Sequence, residues 1–313
     1  MLHFWYWWKI LKRRNRPRTF KPVVLVTGCS SGIGLALAQE LYNIEDYRVV
    51  ITAREKSLPI LAAAFKENER FIIRPLDVSF ENDRKKLIQE IQESWGGVSI
   101  LINNAGISYR SVIEHMTEKD EYNQMATNYF GAVGLIRLVI PYMRELGRGK
   151  IINVSSVSGM LAMPTMASYS ASKHALEGMS EALWYEMKPL GINVSLIQPG
   201  FIHSNSFRNV YYTEQSKPEA GKDGPYCDYY GNMTPFIEKL MKKSPTDPKS
   251  IARTILKVIK TEDPPLWIAA TFDATLFYYV RRWVPRRFLL PFLFYFLPNS
   301  KTWGQKYTHK RQG

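Results

Sequence analysis

Val23-Val24-Leu25-Val26-Thr27-Gly28-Cys29-Ser30-Ser31-Gly32-Ile33-Gly34 sets a short β-branched run directly against a glycine-rich turn, and a helical pattern, 35–42, follows at once. Four consecutive apolar residues read as a strand buried on both faces, the habit of parallel sheets. Glycines are needed where backbone must turn tightly and approach a pyrophosphate. The helix behind such a turn offers free N–H groups and the positive end of its dipole. The spacing is Gly-x3-Gly-x-Gly, not Gly-x-Gly-x-x-Gly. Strand, turn and helix in this order predict the opening βα unit of a dinucleotide-binding sheet.

Outward from this turn the same rhythm continues. Further apolar runs lie at 49–52, 71–73, 100–102, 151–154, 194–197 and 266–270, with helical patterns between them, for example 83–93 and 171–187. This alternation predicts an α/β fold, a Rossmann-type doubly wound parallel sheet of about seven strands with right-handed crossovers. No Pro/Gly/Ser linker divides it, so one domain is expected over 21–270, between a basic aromatic tail at 1–20 and a helical, basic aromatic extension at 271–313. The stretch 204–235 has no clear period and contains Lys217-Pro218, Gly221, Gly224-Pro225 and Gly231. A structureless stretch of that length inside a compact domain is usually functional or disordered. Tyr211, Tyr212, Tyr226, Tyr229 and Tyr230 argue against disorder, and the segment is read as a lid over the substrate.

Charge separates the body from its ends. The chain has 313 residues and a formal net charge of +14, yet residues 1–21 carry +7, residues 281–313 carry +8, and everything between carries −1. The near-neutral body and the lack of a recognition motif argue against a nucleic-acid partner. The ends also carry aromatics: Phe4-Trp5-Tyr6-Trp7-Trp8 in one, and Leu276–Trp283 and Phe288–Leu297, with Pro291 inside, in the other. None of these runs reaches the ~20 apolar residues that a spanning helix needs. A secretory signal would place its charge before an aliphatic core, the reverse of the order here. Tryptophan and tyrosine beside arginine and lysine are residues of the headgroup region, so peripheral association with an anionic membrane surface on the cytoplasmic side is expected. Cys29 and Cys227 form no disulfide framework and no metal site, and are read as free thiols in a reducing compartment.

Two further motifs carry chemistry. The second predicted strand ends in Thr52-Ala53-Arg54, at the tip that lies beside the adenosine ribose in dinucleotide folds. A carboxylate there would hold the 2′-hydroxyl of NAD. A planar guanidinium suits the 2′-phosphate of NADP, and Arg54 therefore predicts NADP(H). Later comes Tyr169-Ser170-Ala171-Ser172-Lys173 on a predicted helix, where residues four apart share a face. A free phenol titrates near pH ~10, and lowering it by ~3 units takes roughly 4 kcal/mol, which an adjacent ammonium and a nicotinamide cation can supply. Ser156 stands at the carboxyl end of a predicted strand, where ligands of such sheets bind, and can hydrogen-bond a substrate oxygen.

Taken in order, these motifs resemble the short-chain dehydrogenase/reductase family, in its hydroxysteroid and retinol dehydrogenase-like branch, over roughly residues 21–270. The resemblance implies that Gly28, Ser30, Ser31, Gly32, Ile33 and Gly34 form the cofactor turn, and that Asp77 contacts the adenine. It implies that Asn104, Ala105 and Gly106 brace the central strand, and that Pro199, Gly200, Ile202 and Ser204 orient the carboxamide. Asn128, Ser156, Tyr169 and Lys173 match the catalytic tetrad, with Tyr169 as proton donor, Lys173 as its activator and ribose ligand, Ser156 on the substrate carbonyl and Asn128 in the relay. Ser204 departs from a frequent threonine but keeps the hydroxyl. The expected activity is NADP(H)-dependent interconversion of a ketone and a secondary alcohol on a lipophilic molecule such as a steroid, retinoid, ketosphingoid or acyl-dihydroxyacetone phosphate, by a homo-oligomer. A non-enzymatic, membrane-associated NADP(H) sensor is the competing expectation.

Overall fold

The computed structural model describes residues 21–203, 210–217 and 224–305. Seven strands, β1 (Val23–Val26), β2 (Arg48–Ala53), β3 (Phe71–Pro75), β4 (Ile100–Asn103), β5 (Gly149–Val154), β6 (Ile192–Gln198) and β7 (Trp267–Ala269), form one sheet. Its order is β3-β2-β1-β4-β5-β6-β7 and every pairing is parallel, with Val24 opposite both Val49 and Ile100. The strands begin and end within two residues of the apolar runs, because parallel strands covered on both faces leave few polar positions to blur the reading.

The helices are α1 (Gly32–Tyr42), α2 (Leu58–Ala64), α3 (Glu81–Trp95), α4 (Glu118–Met125), α5 (Gly131–Leu146), α6 (Ala167–Met187), α7 (Cys227–Lys243), α8 (Pro248–Lys260), α9 (Phe272–Trp283) and α10 (Arg286–Phe296). On one face of the sheet, Leu37 and Leu41 of α1 and Ile251, Ile255 and Ile259 of α8 pack on Val24, Val26 and Ile51. On the other, Leu87 and Ile91 of α3, Leu135 and Val139 of α5, and Leu183 and Met187 of α6 pack on Leu25, Val50 and Leu101. The order of the strands reverses between β1 and β4, and the crevice at their carboxyl ends is the natural ligand site of such a sheet.

The reading of 204–235 needs correction. Residues 204–209 and 218–223 lie outside the described residues, but from Cys227 the chain is helical and continues to Lys243 as α7. Gly231 and Pro235 hid it. Met233, Ile237 and Met241 recur every four residues and are all buried, so the helix is held by its packed stripe in spite of two poor helix formers.

Beyond β7, α9 and α10 fold back on the body. Ala274 of α9 is buried against Val157 and Met160. Leu297 and Trp303, just past α10, join the cluster of Met233, Ile237 and Met241. The Trp303 ring lies 4.6 Å from that of Tyr229, and the Asn299 amide donates to Asn232 Oδ1 at 2.8 Å. α7 is thereby fixed from behind by the C-terminal extension.

Candidate active site

A cleft of 720 Å³ opens at the switch point, and every sequence-predicted site residue except Gly34, Asn128 and Ser204 lines it. Ser204 lies outside the described residues. Gly34 and Asn128 stand directly behind the lining.

The glycine turn is dictated by contact distances. Gly28 has φ +71, and a Cβ there would fall 2.7 Å from Ala105 Cα. A Cβ on Gly34 would fall 2.3 Å from Gly28 O. Asn104 clasps the turn by donating from Nδ2 to Thr27 O and Gly28 O, both at 2.9 Å. Thr27 Oγ1 accepts the Asn104 and Ala105 N–H groups in return. Ser31, at the head of α1, does not use its side chain to cap the helix. The first N–H groups of α1 thus face a concavity only glycine leaves open, and both features fit a pyrophosphate. Asp77 sits at the end of β3, its carboxylate accepting from Ser79 N–H at 3.0 Å and from the Ser79 hydroxyl at 2.6 Å. Arg54, one residue past β2, is exposed and donates from Nη1 to the Tyr211 hydroxyl at 3.1 Å.

On the other side of the cleft the tetrad residues gather from three places: α6, the end of β5 and a turn before α5. α6 begins at Ala167, four residues before the expected start, so Tyr169 stands in its first turn and Lys173 one turn on. Ser156 follows β5 in extended backbone, and its hydroxyl accepts from Ser158 N–H at 3.1 Å and hydrogen-bonds the Tyr169 phenol. Burial pushes the phenol's pKa up, while the Ser156 hydrogen bond and the charge of Arg110 pull it back. The Lys173 ammonium donates to Val154 O at 2.9 Å and lies 5.9 Å from the Tyr169 ring centroid. Burial draws its pKa down to about 8, against the opposing pull of Glu177. Asn128 is carried by a π-helical turn, Ala126–Phe130, between α4 and α5. Its amide accepts from Ile107 N–H at 2.8 Å, donates to Ile107 O at 2.9 Å, and donates to Ser172 Oγ at 3.0 Å. That pins the Gly106–Ile107 backbone beside Lys173, whose Nζ would stand 3.8 Å from a Cβ on Gly106.

Sequence reasoning missed several supporting groups. Glu177, one turn past Lys173, accepts from Ser155 Oγ at 2.7 Å and from Gln198 Nε2 at 2.9 Å, and its charge also feels Arg281 of α9. Its spacing from Lys173 was the available signal. Thr271 and Asp273, at the head of α9, accept the N–H groups of Gly200 and Phe201 at 2.9 Å and 2.8 Å, so the C-terminal extension holds the 199–202 segment in place. Arg110 lines the cleft beside Tyr169, and nothing local in the sequence marks it. His174, next to Lys173 in the chain, turns away from the cleft, with Nδ1 on Ser170 O and Nε2 near Arg281. Cys29 is fully buried and its thiol is pushed up to about 12 by burial, which makes it filler in the turn.

The family model for short chain dehydrogenase matches residues 22–215. The chain belongs to the short-chain dehydrogenase/reductase family. It is accordingly a nucleotide-binding oxidoreductase acting on the CH–OH/C=O pair. Among curated members it is 35% identical over 243 residues to the 3-ketodihydrosphingosine reductase of Bacteroides thetaiotaomicron, covering 78% of this chain and 85% of that one. It is 34% identical to human retinol dehydrogenase 8, covering 80% of each. Among solved structures, a short-chain dehydrogenase from Streptomyces avermitilis superposes with a TM-score of 0.69 at 32% identity, over 82% of this chain and 91% of that one.

Proposed function

We propose that this short-chain dehydrogenase/reductase uses NADP(H) to interconvert a ketone and a secondary alcohol on a lipophilic molecule, at an anionic cytoplasmic membrane face and as a homo-oligomer. One observation carries the reading. The cleft that brings Ser156, Tyr169 and Lys173 together is walled on the substrate side by Met163, Met166, Phe201, Ile237 and Met241. Flexible thioethers and an aromatic ring accommodate an apolar chain and offer a polar substrate little. The two curated relatives are named for a 3-ketosphingoid and for retinol, both lipophilic molecules.

Bound NADP(H) supplies or accepts the hydride. In reduction, Ser156 Oγ and Tyr169 Oη hold the carbonyl oxygen, and the phenol gives its proton to that oxygen. Burial favours the protonated phenol, which suits it to act as an acid. Lys173 holds the ribose, and Asn128 fixes the Gly106–Ile107 turn and anchors the relay that returns the proton. Arg54 favours the 2′-phosphate of NADP(H). Ile237 and Met241 of α7, with Val210 and Tyr211, cover part of the cleft and shield it from water, so that hydride transfer competes well with side reactions.

The C-terminal extension supports the membrane part of the reading. In α10 only Leu289 is buried, while Phe288, Leu290, Phe292, Phe294, Tyr295 and Phe296 are exposed. Arg281, Arg282, Arg286, Arg287 and Lys301 flank them, the make-up of a helix lying in a headgroup layer. Among the described residues no helix is long and apolar enough to cross a membrane. Incubating the protein with NADPH and a membrane lipid extract, with mass spectrometry of the products, tests the proposal. A product two hydrogens heavier than a ketone precursor is expected. Nucleotide binding without turnover of any ketone would favour the sensor reading.

A further inference from the structure

We infer that Arg110 and Ser108 form an oxyanion subsite, so that the substrate carries a carboxylate or phosphate group within a few bonds of the reacting carbonyl. The inference deepens the proposed lipid-ketone chemistry and rests on it. Residues 108 and 110 lie two apart in an extended segment, where alternate side chains share a face, and both line the cleft. The segment is held rigidly from two sides. Arg110 N–H donates to Tyr211 O and Tyr211 N–H donates to Ser108 O, each at 2.9 Å, while Ser111 N–H donates to Thr165 O at 2.9 Å.

On this fixed segment the Arg110 guanidinium has no charge partner among the described residues, and the hydrogen-bond acceptor it finds is Met166 Sδ, a weak one for five N–H donors. Tyr169 and Tyr212 are the groups whose charge it feels, and burial lowers its pKa. Ser108 Oγ is buried and has no hydrogen-bond partner among the described residues. Burying a cation without a counter-charge, and a hydroxyl without a partner, is costly, and a planar guanidinium matches the two oxygens of a carboxylate or phosphate. The apolar wall of Met163, Ile237 and Met241 begins in the same cleft, so an anionic head and an apolar tail are both provided for.

The subsite is tested by matched pairs, in turnover and in binding. For turnover, the substrates are a medium-chain γ-keto acid, its methyl ester, and the corresponding ketone bearing a phosphate monoester. For binding, calorimetry on the enzyme saturated with oxidised nucleotide uses a fatty acid, an alkyl phosphate and a fatty alcohol of equal chain length. The wild type is expected to prefer an anion over its neutral match by roughly 10- to 100-fold in both assays, the scale of a hydrogen bond to a charged group. Whether carboxylate or phosphate gives the larger ratio identifies the head group. Arg110→Gln should bring the ratio to about one and Arg110→Lys should keep part of it, each ratio being taken on a single preparation and so independent of how much protein is active. A wild type that does not discriminate, or an Arg110→Gln variant that still does, overturns the subsite. Anion preference in binding without turnover of any ketone would instead sink the proposed reaction and leave the subsite standing.

Discussion

At the scale of single residues the chemistry depends on which proton Tyr169 holds. Removing only its hydroxyl in Tyr169→Phe should leave folding and nucleotide binding intact and cut turnover by ~10² or more, the contribution of a positioned general acid. A near-normal kcat in that variant would remove Tyr169 from the role. Its environment also fixes the sign of the pH dependence. Burial raises the phenol's pKa, and Ser156 and Arg110 only partly offset it. The acid form therefore persists through neutral pH, so kcat/KM for reduction should stay level there and fall on the alkaline side. Oxidation needs the phenolate and should rise with pH. Arg110→Gln removes a cation that holds the phenol down and should move the alkaline limb higher still. A reduction rate that already declines through neutral pH contradicts this account. At the other end of the cleft, Arg54→Ala should weaken NADPH by ~1.5–3 kcal/mol and barely affect NADH. Steady-state kinetics with both nucleotides decide it, and a wild type that prefers NADH is the adverse result.

Among elements, α9 carries more of the site than its place after the last strand suggests. Thr271 is buried, caps α9 by accepting Ala274 N–H at 3.2 Å, and accepts Gly200 N–H at 2.9 Å. Thr271→Ala removes both, so a stability loss of about 1–2 kcal/mol in denaturant unfolding is expected, with weaker nucleotide binding in fluorescence titration. Unchanged nucleotide affinity would separate the helix from the cofactor site. The sheet and the glycine turn were legible because buried parallel strands are continuous in their apolarity and because Gly28 and Gly34 leave no room for a Cβ. α7 was half-legible. Its Met233, Ile237, Met241 stripe has the right period, but Gly231 and Pro235 spoke against a helix more loudly. The π-helical turn that places Asn128 follows no local residue rule. Arg110 becomes part of the site only through bridges from its neighbours, Tyr109 to Tyr211 and Ser111 to Met166, and contacts made so far apart in the chain leave no local mark.

For the molecule as a whole, the question is why a body of charge −1 carries some fifteen cations at its ends. Each Lys or Arg near an anionic surface contributes about 1 kcal/mol, and an inserted aromatic face adds a part that salt does not screen. The protein should sediment with phosphatidylserine vesicles, and raised salt should weaken binding without abolishing it. Replacing Phe288, Phe292 and Phe296 with serine should lower the salt-resistant part, since these side chains are exposed and support no core. Deleting residues 1–20 should lower the salt-sensitive part. Equal binding by all forms would detach these ends from the membrane account. The central claim is that one cleft, fed from the bilayer, reduces a lipophilic ketone with NADPH through Tyr169. It is tested most directly by mixing full-length protein with NADPH and anionic vesicles containing a long-chain keto lipid, and following NADPH absorbance and alcohol product together. The account predicts one alcohol formed per NADPH consumed by the wild type, and at most about a hundredth of that rate from a folded, nucleotide-binding Tyr169→Phe variant. Equal rates from the two proteins, or NADPH loss without alcohol, would contradict it.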